Sequence, residues 1–233
     1  MRNIILNIPH SSINGVFDDN IGGWEKNPFF INDCVHELTD WYTDFLFKTQ
    51  NPMVKSVVFP YSRFVCDVER LENDEMESQG QGIIYTHYKG YERGEVNEKL
   101  LFELREKHHN ELVKDIKEND VIIDCHSFTS KLHNCDICIG FNNDFSYDKD
   151  IVDIIINEFA KSSYSVAVNE PFSNSITPKT DVNYKSIMIE VNKKVYMNET
   201  TLMLNYNPRQ WMRWFGCLER IYEKQIIKEN YID

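Results

Sequence analysis

Two kinds of apolar pattern alternate along the chain. Short continuous runs occur at residues 3 to 8 (Asn-Ile-Ile-Leu-Asn-Ile, ending at Pro9), Val54 to Phe59, Val121 to Asp124, Ile137 to Phe141, Ser165 to Val168 and Ile187 to Val191. Runs of that length predict strands buried on both faces. Between them, apolar residues recur every three or four positions. They do so in residues 31 to 49 (Val35, Leu38, Phe45, Leu46) and 95 to 117 (Leu100, Leu101, Leu104, Leu112, Ile116), from Tyr147 to Ala160, and in residues 208 to 229 (Trp211, Trp214, Leu218, Ile221). That spacing predicts amphipathic helices. The polar, glycine-containing stretch from Glu72 to Gly94 is long for a plain connection and reads as a functional loop. Strands alternating with helices predict an α/β fold, a three-layer α/β/α arrangement with a mixed, mostly parallel central sheet. With no repeat, low-complexity tract or interdomain linker in the sequence, a single domain over residues 1–233 is expected.

Composition narrows the function classes. The 233 residues can bury a sizeable core. Apolar residues at 42% and aromatics at 13% argue against disorder. A formal charge of −12 and a pI of about 5.1 exclude sequence-independent binding to nucleic-acid backbones. A local basic patch could still take a small acidic substrate. No apolar run approaches the roughly 20 residues that span a bilayer. The run from Ile4 to Pro9 is too short for a signal peptide, so no membrane association is expected. Cysteines stand at 34, 66, 125, 135, 138 and 217, several of them inside apolar runs, which points to free thiols in a reducing compartment, the cytoplasm. Cys135-Asp-Ile-Cys138 has metal-knuckle spacing, yet it sits in a strand-like run with no second pair.

Chemistry is expected where strands end, because the carboxyl ends of strands line the binding crevice of open α/β sheets. His10, in Pro9-His-Ser-Ser12, follows the first apolar run, and His126, in Asp124-Cys-His-Ser127, follows the third. Two imidazoles and a carboxylate make a catalytic zinc site with an open position; the plainer reading is two loop histidines. Residues 31 to 49 offer His36, Asp40 and Asp44 as third ligand, at i, i+4 and i+8, and spacing does not choose among them. In Tyr61-Ser-Arg-Phe-Val-Cys-Asp-Val-Glu-Arg70, Arg63 and Arg70 bracket Asp67. Such arginines either clamp a carboxylate or form surface ion pairs. Glu190 interrupts an apolar strand and, near a metal, could act as general base.

Taken together and in this order, these pieces resemble the N-formylglutamate amidohydrolase family. The resemblance runs from Pro9 to Met197 and is carried by Pro9-His-Ser, Thr39-Asp-Trp41, Tyr61-Ser-Arg-Phe-Val, Asp67 to Arg70, Asp124-Cys-His-Ser127, Ile189-Glu-Val and Tyr196-Met197. It implies a fold like that of zinc carboxypeptidases and aspartoacylases. It also implies hydrolysis of N-formyl-L-glutamate, a small acidic N-acyl amino acid, to formate and glutamate in histidine breakdown. The resemblance selects Asp40, giving His10, Asp40 and His126 as ligands to one zinc ion, with Mn or Co able to occupy the same set. Glu190 then matches the water-activating glutamate. Arg63 and Arg70 match the arginines that polarise the carbonyl or hold the substrate carboxylate. Asp124 and Ser127 flank His126, Ser127 within reach of substrate, and His109 is read as structural. Three positions depart from the family pattern: Ser12 for a small residue, Tyr42 for His, and Glu69 for an Asn that could donate to a substrate carboxylate. Two alternatives keep the site, namely a zinc deacylase or peptidase with another N-acyl substrate and a binding protein without turnover. A third replaces the metal by Cys125 or Ser127 as nucleophile. No feature of the sequence indicates the oligomeric state.

Overall fold

In the computed structural model, which describes residues 2–227, the apolar runs become strands and the periodic stretches become helices. In chain order the elements are β1 (Ile4–Ile8), α1 (Pro28–Phe30), a π turn (Ile31–Val35), α2 (His36–Leu38), α3 (Thr43–Leu46), β2 (Val54–Val58), a 3-10 turn (Glu75–Gln79), β3 (His87–Tyr88), β4 (Tyr91–Glu92), α4 (Glu98–Val113), β5 (Val121–Phe128), β6 (Ile137–Gly140), α5 (Lys149–Lys161), β7 (Val166–Val168), β8 (Lys185–Asn192), a 3-10 turn (Lys193–Val195), β9 (Met197–Asn198), β10 (Met203–Leu204) and α6 (Pro208–Ile227). The predicted final helix of residues 208 to 229 thus agrees as far as 227, and its last two residues lie outside the described ones.

The described residues form two compact units. The first comprises the chain up to Ile8, Tyr42–Val57 and the chain from Leu112 onward. It holds a six-stranded sheet in the order β2-β1-β5-β8-β6-β7. The pairs β1/β5, β5/β8 and β6/β7 are parallel and β6/β8 is antiparallel. The sheet is therefore mixed and mostly parallel, with helices on both sides, as the alternation predicts. β5 sits centrally with all eight residues buried, which is why its run carries almost no polar alternation. On one face Ile5 and Ile122 pack with Val57, Leu112, Ile116, Ile176 and Tyr184. α5 and α6 pack together, α6 against β1 and α5 against β6 and β7. In that layer Trp214 is buried among Phe47, Phe159 and Tyr164 and donates its indole N–H to the Leu46 carbonyl at 2.7 Å. A buried carboxylate, Glu158 of α5, joins the two helices by accepting from Arg220 Nε at 2.9 Å and Lys224 Nζ at 2.5 Å.

The second unit comprises Pro9–Trp41 and Val58–Glu111. Its core is aromatic. Trp24 stacks on Phe30 with ring centres 4.7 Å apart, and Phe64 meets Trp24, Phe30 and Tyr85 edge-on. The stretch from Glu72 to Gly94 is ordered by Arg93, whose guanidinium donates to the carbonyls of Gly22, Ile21, Val65 and Tyr85 at 2.6 to 3.2 Å. Burial pulls the Arg93 pKa down to about 10, so it stays charged at neutral pH.

Residues 31 to 49 do not form the single predicted helix. The chain leaves the helix after Leu38: the Thr39 hydroxyl donates back to the Val35 carbonyl at 2.6 Å, and Thr39 turns extended at ψ 131°. The Asp40 N–H then bonds the His10 carbonyl at 2.9 Å instead of an i−4 partner. Tyr42 adopts a left-handed φ of 65° before α3 begins. Long-range backbone pairing overrides the helical period here.

Candidate active site

The second unit carries His10, Asp40, Arg63 and Arg70 of the predicted residues, grouped around a buried carboxylate. A tight turn at Tyr61–Arg70, with Val65 and Cys66 N–H donating to the Ser62 carbonyl, sets Arg63 and Asp67 side by side. The Asp67 N–H bonds the Ile83 carbonyl at 2.8 Å, tying the turn to the segment that carries Tyr85. Asp67 is fully buried. Its Oδ1 accepts from His10 Nε2 at 2.9 Å and from the Glu69 N–H at 3.3 Å. Its Oδ2 accepts from Arg63 Nη2 at 2.8 Å, Arg63 Nε at 3.2 Å and the Tyr85 hydroxyl at 3.1 Å. Burial pushes the Asp67 carboxyl up, but Arg63, His10 and Arg70 outweigh it and hold the group well below the usual carboxylate range. Burial likewise opposes the Arg63 charge, and Asp67, Tyr85 and Asp40 outweigh that, so Arg63 stays firmly protonated.

This network fixes the His10 ring. An ionised Asp67 can only accept, so Nε2 carries the proton and Nδ1 presents a lone pair. Nδ1 faces Asp40 Oδ2 at 3.8 Å, beyond hydrogen-bond range, and both side chains are buried. A lone pair facing a carboxylate across that gap suits a cation. A histidine whose far nitrogen is held by a carboxylate is also the usual form of a metal-ligating imidazole. His10 and Asp40 therefore fit half of a metal site. Of the other third-ligand candidates, His36 stacks edge-on against Trp41 at 5.5 Å, and Asp44 is exposed on α3 in the first unit. Arg70 stands 3.7 Å from Asp67 and 3.8 Å from Asp74 and keeps about a quarter of its side chain exposed. His109 donates from Nε2 to the Val68 carbonyl and so braces the same turn.

The first unit carries the other predicted residues on its sheet. β5 continues four residues past the predicted strand, so His126 and Ser127 lie within it rather than beyond its end. His126 pairs in register with Glu190 of β8, and parallel neighbours in register share a face. Asp124, two residues earlier and on that face, accepts from Asn7 Nδ2 at 2.6 Å and from the Ile176 N–H at 3.1 Å, and lies 3.4 Å from His126 Nε2. Alternation turns Cys125 and Ser127 to the opposite face. Cys125 there donates its thiol to the Ile123 carbonyl at 3.3 Å, which leaves no basis for a Cys125–His126 nucleophile pair. All six cysteines are buried free thiols, and burial raises Cys138 to about 11 and Cys66 to about 12. Two residues that sequence reasoning passed over, Tyr85 and Arg93, come from the Glu72 to Gly94 stretch. Its length was the only signal for them.

Buried carboxylates, imidazoles and arginines are groups that hydrolases use, and the comparisons place the chain in an amidohydrolase family. The chain belongs to the N-formylglutamate amidohydrolase family, whose family model matches residues 3–197. The fold is similar to that of an N-formylglutamate amidohydrolase from Ralstonia eutropha, with a TM-score of 0.66 and 14% identity over 100% of this chain and 95% of that one. It is also similar to a gene product of Agrobacterium tumefaciens, with a TM-score of 0.61 and 16% identity over 98% of this chain and 92% of that one. No curated protein matches the sequence. Among the described residues no helix is long and apolar enough to cross a membrane.

Proposed function

We propose that the protein hydrolyses N-formyl-L-glutamate to formate and L-glutamate, with one divalent metal ion, zinc, held by His10, Asp40 and His126. The observation that carries this is the His10 ring, clamped by Asp67 with its lone pair turned to the Asp40 carboxylate. Two imidazoles and one carboxylate are a common donor set of hydrolytic zinc sites, and Mn or Co take the same donors. When bound, the metal supplies Lewis-acid polarisation of the amide carbonyl and an acidified water.

The chain's own residues do the rest. Glu190 removes a proton from the attacking water and delivers it to the departing nitrogen. A C–O bond forms at the formyl carbon while the C–N bond breaks, leaving formate and the free amine of glutamate. Arg63, held rigid by Asp67, stabilises negative charge developing on the carbonyl oxygen. Arg70 binds a substrate carboxylate. Asp124 orients the His126 ring.

The test is formate release by zinc-loaded protein, with His126→Ala as control. The expected result is release by the wild type alone, with His126→Ala also losing tight zinc binding. Release only from a different N-acyl amino acid would keep the hydrolase and move the specificity, with Glu69 and Ser12 the first positions to examine. Tight binding of N-acyl amino acids with no hydrolysis of any would refute the enzymatic role.

A further inference from the structure

We propose that Tyr85 is a positioning residue that keeps the Arg70 guanidinium available to a substrate carboxylate. The inference deepens the role given to Arg70 above and rests on it. Its basis is the occupancy of Asp67. Oδ1 is taken by His10 and the Glu69 N–H, and Oδ2 by Arg63 and the Tyr85 hydroxyl. Each carboxylate oxygen offers about two lone-pair directions, so Oδ2 has no good direction left. Arg70 Nε consequently stops 3.7 Å away, short of a hydrogen bond. The phenol donates to Oδ2 at 3.1 Å. It is thus one of three donors on Oδ2, beside the two N–H groups of Arg63. Arg63, by contrast, makes two hydrogen bonds to Asp67 and is less exposed than Arg70, 18% against 26%.

Oδ2 accepts three hydrogen bonds, two from Arg63 and one from Tyr85, and removing the phenol oxygen vacates the third. Arg70 then needs to move less than 1 Å to form a hydrogen bond with Asp67 in which both partners are charged, where the phenol it replaces is an uncharged donor. The guanidinium turns inward, toward a permanent internal anion and away from a transient external one. Phenylalanine can test this cleanly. The Tyr85 ring is buried against Phe64 at 5.5 Å and Tyr88 at 6.4 Å, and those contacts survive loss of the hydroxyl. Burial raises the phenol to about 12, so it is a protonated donor throughout the neutral range.

The experiment compares zinc-loaded wild type, Tyr85→Phe, Arg70→Ala and the double variant. Formate release from N-formyl-L-glutamate gives KM and kcat, and calorimetric binding of L-glutamate gives a Kd independent of turnover. Tyr85→Phe should raise KM and Kd about tenfold, the scale of one charge-assisted hydrogen bond, with a much smaller change in kcat. Arg70→Ala should raise both at least as far, and the double variant should be no worse than Arg70→Ala alone. Raised KM and Kd in Arg70→Ala with wild-type values in Tyr85→Phe would overturn the role of Tyr85 and leave that of Arg70. Additive losses in the double variant would also overturn it, since an unrelated packing defect adds. Wild-type values in Arg70→Ala would overturn the role of Arg70 and, with it, this inference.

Discussion

Asp67 shows how much one buried carboxylate can organise. It fixes the tautomer of His10, holds the plane of Arg63 and meets the phenol of Tyr85. Asp67→Asn keeps the volume but introduces donors and removes the charge. Zinc affinity, read by competition with a chelator, should fall about 10- to 100-fold, as for other carboxylates behind a metal-bound histidine. An unchanged affinity would mean that Asp67 serves only the arginines. Glu190→Gln makes the opposite split. The amide cannot take a proton from water, so kcat should fall about 10²- to 10⁴-fold while zinc affinity holds. Hydrolysis at the wild-type rate in Glu190→Gln would remove that residue as the base.

At the scale of elements, the departures from the local pattern fall next to the proposed ligands. The break after Leu38 turns Thr39 extended and leaves the Asp40 N–H bonded to the His10 carbonyl, where a continuous helix would have spaced His36, Asp40 and Asp44 along one side. The extension of β5 to Phe128 brings His126 into register with Glu190. Elsewhere helix pairing is stapled electrostatically. Hydrogen bonds from Lys224 and Arg220 outweigh burial and lower the Glu158 carboxyl from 4.5 to about 2. Its folded pKa is depressed, so its contribution is complete above about 4.5 and disappears as the pH falls toward 2. Lys224 and Arg220 are half-exposed, so screening limits that contribution to roughly 1 kcal/mol. Glu158→Gln should therefore lower stability by about that amount at pH 7 and show a shallower loss between pH 4.5 and 2. Parallel acid curves for the two proteins would show that the network contributes nothing.

For the whole molecule, binding energy and stability are linked. An ion that binds only the folded chain stabilises it by RT ln(1 + [L]/Kd), about 4 kcal/mol at a thousandfold excess over Kd. At that level zinc should raise Tm by several degrees in the wild type and leave His126→Ala where it was. An equal rise in both would mean that zinc binds elsewhere. The net charge of −12 belongs to this scale too. It disfavours polyanions generally, so under the proposed function affinity for an acidic substrate would have to come from local arginines such as Arg63 and Arg70.

The sequence by itself determined the α/β class and the positions of the main strands and helices, and it supplied the residues of the proposed site, because period and burial are local properties that neighbouring residues share. Pro9-His-Ser, Asp124-Cys-His-Ser and the arginine turn were legible for the same reason: each is a short segment at or near an element's end. Only the tertiary structure decided what Asp67 holds, where the helix of residues 31 to 49 breaks, and that Tyr85 and Arg93 lock the second unit. His10 and Asp67 are 57 residues apart, and Tyr85 lies 18 beyond Asp67. Partners at such separations leave no periodic trace. They are selected when a buried polar group must be satisfied by whatever the fold carries past it.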